Sequence, residues 1–271
     1  MPEIAFEGLR ASYRTWGAGP PLVLLHAGGG SSALWEKLAE QLGGHRLIAP
    51  DLLGCGATEA WPEPGALTHD LQAALVARLV DVEIDGPVDI VGHSYGGATA
   101  VRLAVNQPAK VRSLALIEPI LTCLLRETGD PIFEDSVRVN RFFVAAVDDG
   151  RPEAAWQEFI DARNGTGTWA RLSDRRRQEF LKQSAQARET ALSNLNNRTT
   201  LAECGAIRTP MTIVRGADTT AADRRTSEVL RDAVPGARYE IIAGAGHMSP
   251  LSHPAEVARI VRDHLAPTTA R

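Results

Sequence analysis

Four short stretches in the first half of the chain are almost wholly apolar, and they restrict the possible folds more than any other feature. These stretches are "PLVLLH", "HRLIAP", "VDIVGH" and "VRSLALIEP". A strand with one face in water alternates polar and apolar residues, whereas a strand of a parallel sheet is covered on both faces and reads as a continuous apolar run. Stretches with helical periodicity lie between these runs. The alternation predicts an α/β fold with a mostly parallel central sheet flanked by helices.

The alternation is interrupted once, and the interruption indicates an insertion. Before the apolar runs, "EIAF" and "RASYRTWG" alternate as an antiparallel pair does. From residue 121 to residue 209 only helical patterns occur, after which "PMTIVRG" and "RYEIIAG" resume the sheet. We therefore expect one α/β core domain formed by residues 1–120 and 210–271. Residues 121–209 are expected to form a helical cap.

Composition limits the class of protein and its partners. The chain has 271 residues, of which 44% are hydrophobic and 23% charged, and its net charge is −4. This balance is typical of a globular protein and offers no basic field for nucleic acid or an anionic membrane. Cys55, Cys123 and Cys204 are too scattered for a disulfide framework or a zinc cluster. With no visible secretory signal, we expect a cytoplasmic protein with a small-molecule partner, and its oligomeric state is not predicted.

The stretch from Val88 to Ala100 turns from an apolar strand into a helix through the sequence Gly-His-Ser-Tyr-Gly. A G-x-S-x-G sequence between a strand and a helix is typical of a nucleophile elbow. Gly92 and Gly96 fit such a turn because a Cβ atom there would collide with the neighbouring backbone. The turn lifts the hydroxyl of Ser94 above the sheet, so Ser94 is the candidate nucleophile.

A serine hydroxyl needs a base, and His247 is the best placed of the seven histidines. It follows the last predicted strand, on a loop at the carboxyl edge of the sheet, where Ser94 also points. The other six are expected to have structural or solvated roles. His26 should shape a loop and His93 should point away from the serine, while solvent should surround four more: His45, His69, His253 and His264.

The glycine-rich stretch "HAGGGSS" follows a predicted strand and precedes a predicted helix. Backbone N–H groups in such a loop can face a developing negative charge. We expect the N–H groups of Gly28 and Tyr95 to form an oxyanion hole. A phosphate-binding loop is the alternative for this stretch, but no G-K-[ST] sequence follows it. A second glycine-rich stretch, "GCGATE", lacks the third glycine of a dinucleotide-binding fingerprint. No cofactor and no metal are therefore expected.

Taken together, "LLHAGGGSS", "APDLLGCG", "VGHSYGG", "LIEP" and "AGAGHMSPLSHP" resemble the α/β-hydrolase fold family. The resemblance runs from about Pro21 to Leu265 and points to the capped group, which includes esterases, lactonases and carbon–carbon bond hydrolases. Ala27 departs from the glycine that the family usually has after the loop histidine. The resemblance implies an α/β-hydrolase fold and a Ser–His–acid triad.

The acid of that triad has two candidates. Most family members carry it after the strand that follows the cap, where this chain has Thr219, with Asp218 one residue earlier. A minority carry it after the strand that follows the elbow helix, where this chain has Glu118, 24 residues after Ser94. Glu118 also closes an apolar run, and a carboxylate there is rarely left unpaired. We favour Glu118, and Asp218 remains the alternative.

These features predict a serine hydrolase that cleaves a carboxylic ester or lactone through an acyl-enzyme. Its substrate should be moderately apolar, because five of the six phenylalanines lie in the cap with Trp156 and Trp169. Most of these rings should form the core of the cap itself. A carbon–carbon bond hydrolase or a cofactor-free perhydrolase with the same triad stays open, as does a non-enzymatic small-molecule binder.

Overall fold

An eight-stranded sheet runs through the protein, whose computed structural model describes residues 1–266. The strands are β1 (Glu3–Phe6), β2 (Leu9–Trp16), β3 (Pro21–Leu25), β4 (Arg46–Pro50), β5 (Val88–His93), β6 (Val111–Ile117), β7 (Met211–Gly216) and β8 (Arg238–Ile242). Their order in the sheet is β1-β2-β4-β3-β5-β6-β7-β8. β2 pairs antiparallel with β1 and β4, and all the other pairs are parallel. The mostly parallel α/β sheet is thus confirmed.

Helices cover both faces of the sheet. Those of the core are α1 (Glu36–Ala39), α2 (His69–Glu83), α3 (Tyr95–Asn106), α11 (Ala221–Ala233), α12 (Ser249–Ser252) and α13 (Pro254–Leu265). The helix predicted after the glycine-rich stretch is instead a 3₁₀ turn at Ser32–Trp35 followed by the short α1. A 3₁₀ turn places residues three apart on one face, and Ser32 and Trp35 are both buried.

The stretch of chain between β6 and β7 forms a series of helices, which we call the helical segment. They are α4 (Thr122–Glu127), α5 (Phe133–Asp148), α6 (Pro152–Asn164), α7 (Thr168–Arg171), α8 (Asp174–Lys182), α9 (Ser184–Leu195) and α10 (Leu201–Ala206). Phe143 and Trp156 pack edge to face, with ring centroids 4.9 Å apart, in an apolar cluster of the segment's own. Nowhere in residues 1–266 is a helix both long and apolar enough to cross a membrane.

Burial explains why the central strands are so uniformly apolar. Every residue of β5 is buried, because α2 and α3 cover one face of the sheet and α1 and α13 cover the other.

The strands β3, β5, β6 and β7 run parallel, so their carboxyl ends lie at one edge of the sheet, beneath the helical segment. The side chains that follow these strands are brought together there.

Candidate active site

Ser94 is the single residue between the end of β5 and the start of α3. Its φ of 56° and ψ of −113° are strained for a residue with a side chain. Backbone hydrogen bonds hold this conformation: the Ser94 N–H donates to the Ile117 carbonyl at 2.9 Å, and the Ser94 carbonyl accepts from the Ile120 N–H at 3.1 Å. The sharp turn projects the hydroxyl of Ser94 beyond the carboxyl edge of the sheet.

The glycines on either side of Ser94 are required by close contacts. A Cβ atom on Gly92 would lie 2.7 Å from the carbonyl oxygen of Gly96. A Cβ atom on Gly96 would overlap the carbonyl oxygen of Leu25 on the neighbouring strand. Strand and helix therefore meet so closely that only glycine fits at both positions.

His247 lies on the loop between β8 and α12, and its ring bridges two of the predicted site residues. Nε2 of His247 lies 3.0 Å from Oγ of Ser94, and Nδ1 lies 2.7 Å from Oε2 of Glu118. An ionised carboxylate only accepts hydrogen bonds, so Nδ1 carries the proton and Nε2 is left to accept from the serine. All three side chains are buried. The structure thus aligns Glu118, His247 and Ser94 in one hydrogen-bonded series.

Glu118 follows β6 directly and is held by two further donors. The N–H of Gly216 donates to Oε1 at 2.7 Å, and the hydroxyl of Thr219 donates to Oε2 at 2.7 Å. Asp218, the alternative acid, is exposed. The structure therefore places Glu118, and not Asp218, against the imidazole of His247.

His93 was expected to point away from the serine, and the structure adds that its ring supports the loop that carries His247. Its Nε2–H donates to the backbone carbonyl of His247 at 2.8 Å, and the two rings lie 5.1 Å apart. Complete burial lowers the pKa of His93 well below its ordinary value, with the charge of His247 a further cause. A neutral His93 therefore fixes the backbone of the loop that carries His247.

A second carboxylate, which the sequence analysis did not single out, also faces His247. Oδ2 of Asp223, in the first turn of α11, lies 3.7 Å from Nδ1 of His247. Nη1 of Arg163, on α6, donates to the same oxygen at 3.0 Å. Burial acts to raise the pKa of Asp223, but the charges of Arg163 and His247 outweigh it, so this pKa is lowered. The only feature of the sequence that pointed to Asp223 was its place in "TAAD", a pattern typical of the start of a helix.

The glycine-rich loop after β3 is shaped by His26, as expected. Nδ1–H of His26 donates to the carbonyl of Ala27 at 2.8 Å, and Nε2 accepts from the Leu52 N–H at 3.0 Å. Gly28 has no room for a side chain, since a Cβ atom would lie 2.6 Å from the methyl group of Thr190. The loop is thus packed directly beneath α9 of the helical segment.

A cavity lies between Ser94 and the helical segment. Gly28 and Tyr95 line it beside Ser94. The residues that the helical segment contributes include three aromatic side chains, Phe143, Trp156 and Phe159, and three polar ones, Asn140, Arg163 and Asn194. The chamber is therefore mostly apolar, with a small number of hydrogen-bonding groups.

His69 was expected to be solvated, but it is buried behind Tyr95. Its Nδ1 lies 3.2 Å from Oγ1 of Thr99, and its Nε2 lies 3.1 Å from Oδ1 of Asn194. Burial lowers the pKa of His69 to about 4, so the ring is neutral near pH 7. The hydroxyl of Tyr95 donates to Ser193 at 3.1 Å. These bonds tie α9 to the helix that starts at the serine turn.

Among residues 1–266, Glu118, Asp223 and His247 offer ligand atoms that all lie within 4.8 Å of one another. The donor set does not fit a cation. Glu118 already accepts hydrogen bonds on both oxygens, and the guanidinium of Arg163 holds the facing oxygen of Asp223. A metal ion here would have to displace these donors.

Comparisons with known proteins agree with this architecture. A family model for the alpha/beta hydrolase fold matches residues 20–254. Lipase LipV of Mycobacterium tuberculosis (strain ATCC 25618 / H37Rv) is 30% identical over 266 residues, covering 92% of this chain and 95% of the lipase. A 2-hydroxymuconate semialdehyde hydrolase of Pseudomonas sp. (strain CF600) is 28% identical, and the match covers 99% of this chain and 94% of that hydrolase.

A solved structure matches over the same length. The structure of MGS-M2, an alpha/beta hydrolase enzyme from a deep-sea metagenome library, has a TM-score of 0.83 at 17% identity, and the match covers 100% of this chain and 99% of that one. The chain therefore belongs to the α/β hydrolase fold family and is a hydrolase of that fold.

Proposed function

We propose that the protein is a serine hydrolase that cleaves a compact, moderately apolar carboxylic ester or lactone. One observation carries the proposal: His247 contacts Ser94 through one ring nitrogen at 3.0 Å and Glu118 through the other at 2.7 Å. This is the arrangement in which a buried carboxylate fixes the tautomer of a general base and stabilises its protonated form. The strained backbone of Ser94 further supports its role as the nucleophile.

The proposed reaction has two halves. Oγ of Ser94 attacks the carbonyl carbon while its proton passes to Nε2 of His247, which gives a tetrahedral oxyanion. The carbon–oxygen bond of the ester then breaks, and the leaving alcohol takes the proton from His247. Water attacks the resulting acyl-enzyme as His247 accepts its proton, and the collapse of the second intermediate frees the acid and returns the proton to Ser94.

The oxyanion is proposed to lie against the N–H groups of Gly28 and Tyr95. Tyr95 is the first residue of α3, so its N–H is among those that have no partner within the helix. The positive end of the helix dipole favours negative charge at the same place. Both residues line the cavity next to Ser94, which supports this role.

Residues 121–209 are proposed to act as a cap that closes over the substrate. Trp156 lies over Gly29, and Thr190 lies over Gly28, so the helical segment contacts the loop beside the nucleophile. A closed chamber would exclude bulk water and limit the size of the acyl or ring group. Phe143, Trp156 and Phe159, which line the chamber, would set this size limit.

Carbon–carbon bond hydrolysis is a second candidate, because a relative named for 2-hydroxymuconate semialdehyde hydrolysis matches 99% of the chain. Asn140 also gives the chamber a polar side chain that a purely apolar ester would leave without a partner. Both reactions would use the same serine and histidine. They differ in the bond that breaks after the attack on the carbonyl group.

Hydrolysis rates over a substrate panel test this proposal. The panel contains p-nitrophenyl esters from acetate to dodecanoate, γ- and δ-lactones, and a vinylogous 1,5-diketone acid for carbon–carbon cleavage. We expect the highest kcat/KM among short esters or lactones, and loss of turnover in Ser94→Ala. Turnover of the diketone alone would favour the second candidate. No turnover of any substrate and no reaction with a fluorophosphonate would indicate a non-enzymatic binder.

A further inference from the structure

Two carboxylates from different parts of the chain flank one nitrogen of His247. Oε2 of Glu118, after β6, lies 2.7 Å from Nδ1, and Oδ2 of Asp223, on α11, lies 3.7 Å from it. His93, which is neutral, and Arg163, which binds Asp223, are also near this ring. Only Glu118 is close enough for a hydrogen bond, so Asp223 acts on the ring through its charge.

The charge of Asp223 is paired by a residue of the helical segment. Arg163 reaches from α6 to donate to Oδ2 at 3.0 Å, and the two side chains are only 15% and 11% exposed. Arg163 also lines the cavity above Ser94. The ion pair therefore joins the segment above the nucleophile to the core beside the general base.

The pair is buried enough for its charges to matter to His247. An anion within 4–6 Å stabilises an imidazolium, and a cation that pairs with the anion weakens this effect. With Arg163 seated, Asp223 adds little to the negative charge of Glu118. If α6 moved away, the charge of Asp223 would act in full, and His247 would hold a proton more tightly.

We propose that Asp223 is a positioning residue for His247, and that Arg163 controls it from the helical segment, so that seating α6 over Ser94 tunes the general base. The inference rests on the function proposed above. It goes beyond that function by linking the position of the cap to the charge around the base. If Asp223 were merely structural, accepting a hydrogen bond from the Thr220 hydroxyl at the start of α11, its charge would have no effect on the chemistry.

The rate at which a fluorophosphonate labels Ser94, measured from pH 4 to pH 9, tests the inference without any knowledge of the substrate. The rate rises with pH as the base loses its proton. Asp223→Asn should lower the midpoint of this rise by about one pH unit, and Arg163→Gln should raise it by about as much. The double variant should return close to the wild-type midpoint, because both charges are then absent.

Two matched controls separate this effect from general changes in surface charge. Asp218→Asn removes an exposed carboxylate that follows the same strand, and Arg138→Gln removes an arginine of the helical segment that pairs with Glu158 on the surface. Neither should move the midpoint. If Asp223→Asn and Arg163→Gln are both still labelled and both keep the wild-type midpoint, the inference is overturned and the proposed function is not. Absence of labelling in the wild-type protein would contradict the proposed function and the inference with it.

Discussion

The hydroxyl of Thr219 donates a 2.7 Å hydrogen bond to Oε2 of Glu118, the same oxygen that faces His247. Thr219 stands where the resemblance described above places the acid of most family members. Its hydroxyl therefore orients a carboxylate that the neighbouring strand supplies. Gly216 N–H binds the other oxygen, so the carboxylate is fixed from both sides.

Replacing the buried acid should impair catalysis without unfolding the protein. Glu118→Gln keeps the shape of the side chain but cannot stabilise the imidazolium, so kcat for the best ester should fall by about 10³–10⁴-fold. The matched control is Asp218→Asn, which should stay within about twofold because an exposed carboxylate acts only weakly at a distance. Steady-state kinetics on both variants measures this, and the reverse ranking would reassign the acid.

Removing the hydroxyl of Thr219 should have a smaller effect. Thr219→Val preserves the volume of the side chain but takes one donor from Glu118, and a hydrogen bond to a charged group contributes about 1.5–3 kcal/mol. We expect kcat to fall by about tenfold to a hundredfold and the melting temperature to fall by a few degrees. A kcat equal to that of the wild type would show that the Gly216 N–H alone orients the carboxylate.

The preference of the enzyme for substrates of a given size should depend on the aromatic residues that face the cavity and not on their neighbours in the chain. Phe143 is buried and lines the chamber, whereas Phe142 is 38% exposed on the outside of the helical segment. Phe143→Leu should raise kcat/KM for hexanoate relative to acetate by about tenfold, since one or two methylenes in an apolar pocket are worth about 1–3 kcal/mol. Phe142→Leu should leave this ratio unchanged; equal ratios in both variants would remove Phe143 from the pocket wall.

Gly96, two residues after the nucleophile, should be needed for full stability. Gly96→Ala would push a methyl group into the backbone of Leu25, and overpacking of this kind costs about 1–3 kcal/mol or more. Gly43→Ala is the control, because a Cβ atom there meets nothing within 4 Å. Urea denaturation should show a lower free energy of unfolding for the first variant only. Equal stability of the two variants would mean that the turn can relax.

The sequence predicted those parts of the fold and site that depend on local pattern. Continuous apolar runs identified the parallel strands, because only a doubly covered sheet permits them. The G-x-S-x-G pattern predicted a tight turn at Ser94, because Gly92 and Gly96 suit close contacts at the strand–helix junction and with the neighbouring strand. Glu118 was favoured over Asp218 because it ended an apolar run with spacing that matched the family's minority pattern.

The parts that were missed depend on contacts between distant segments. Asp223 faces His247 only because α11 packs beside the loop after β8, and Arg163 reaches it from another helix, 60 residues earlier in the chain. His69 looked like a surface residue of α2, but α9 covers it and Asn194 binds its ring. The hydrophobic pattern of a helix in an insertion does not show which residue of the core that helix covers.

Covalent labelling of Ser94 tests the central claim most directly. The intact mass of the protein after reaction with a fluorophosphonate should rise by one adduct, and peptide mapping should place it on the peptide that contains Ser94. Ser94→Ala should not react, and His247→Ala should react at least about 10³-fold more slowly, because the serine then lacks its base. An adduct on any other serine, or labelling at the wild-type rate in His247→Ala, would contradict the assignment of Ser94 and His247 as nucleophile and base.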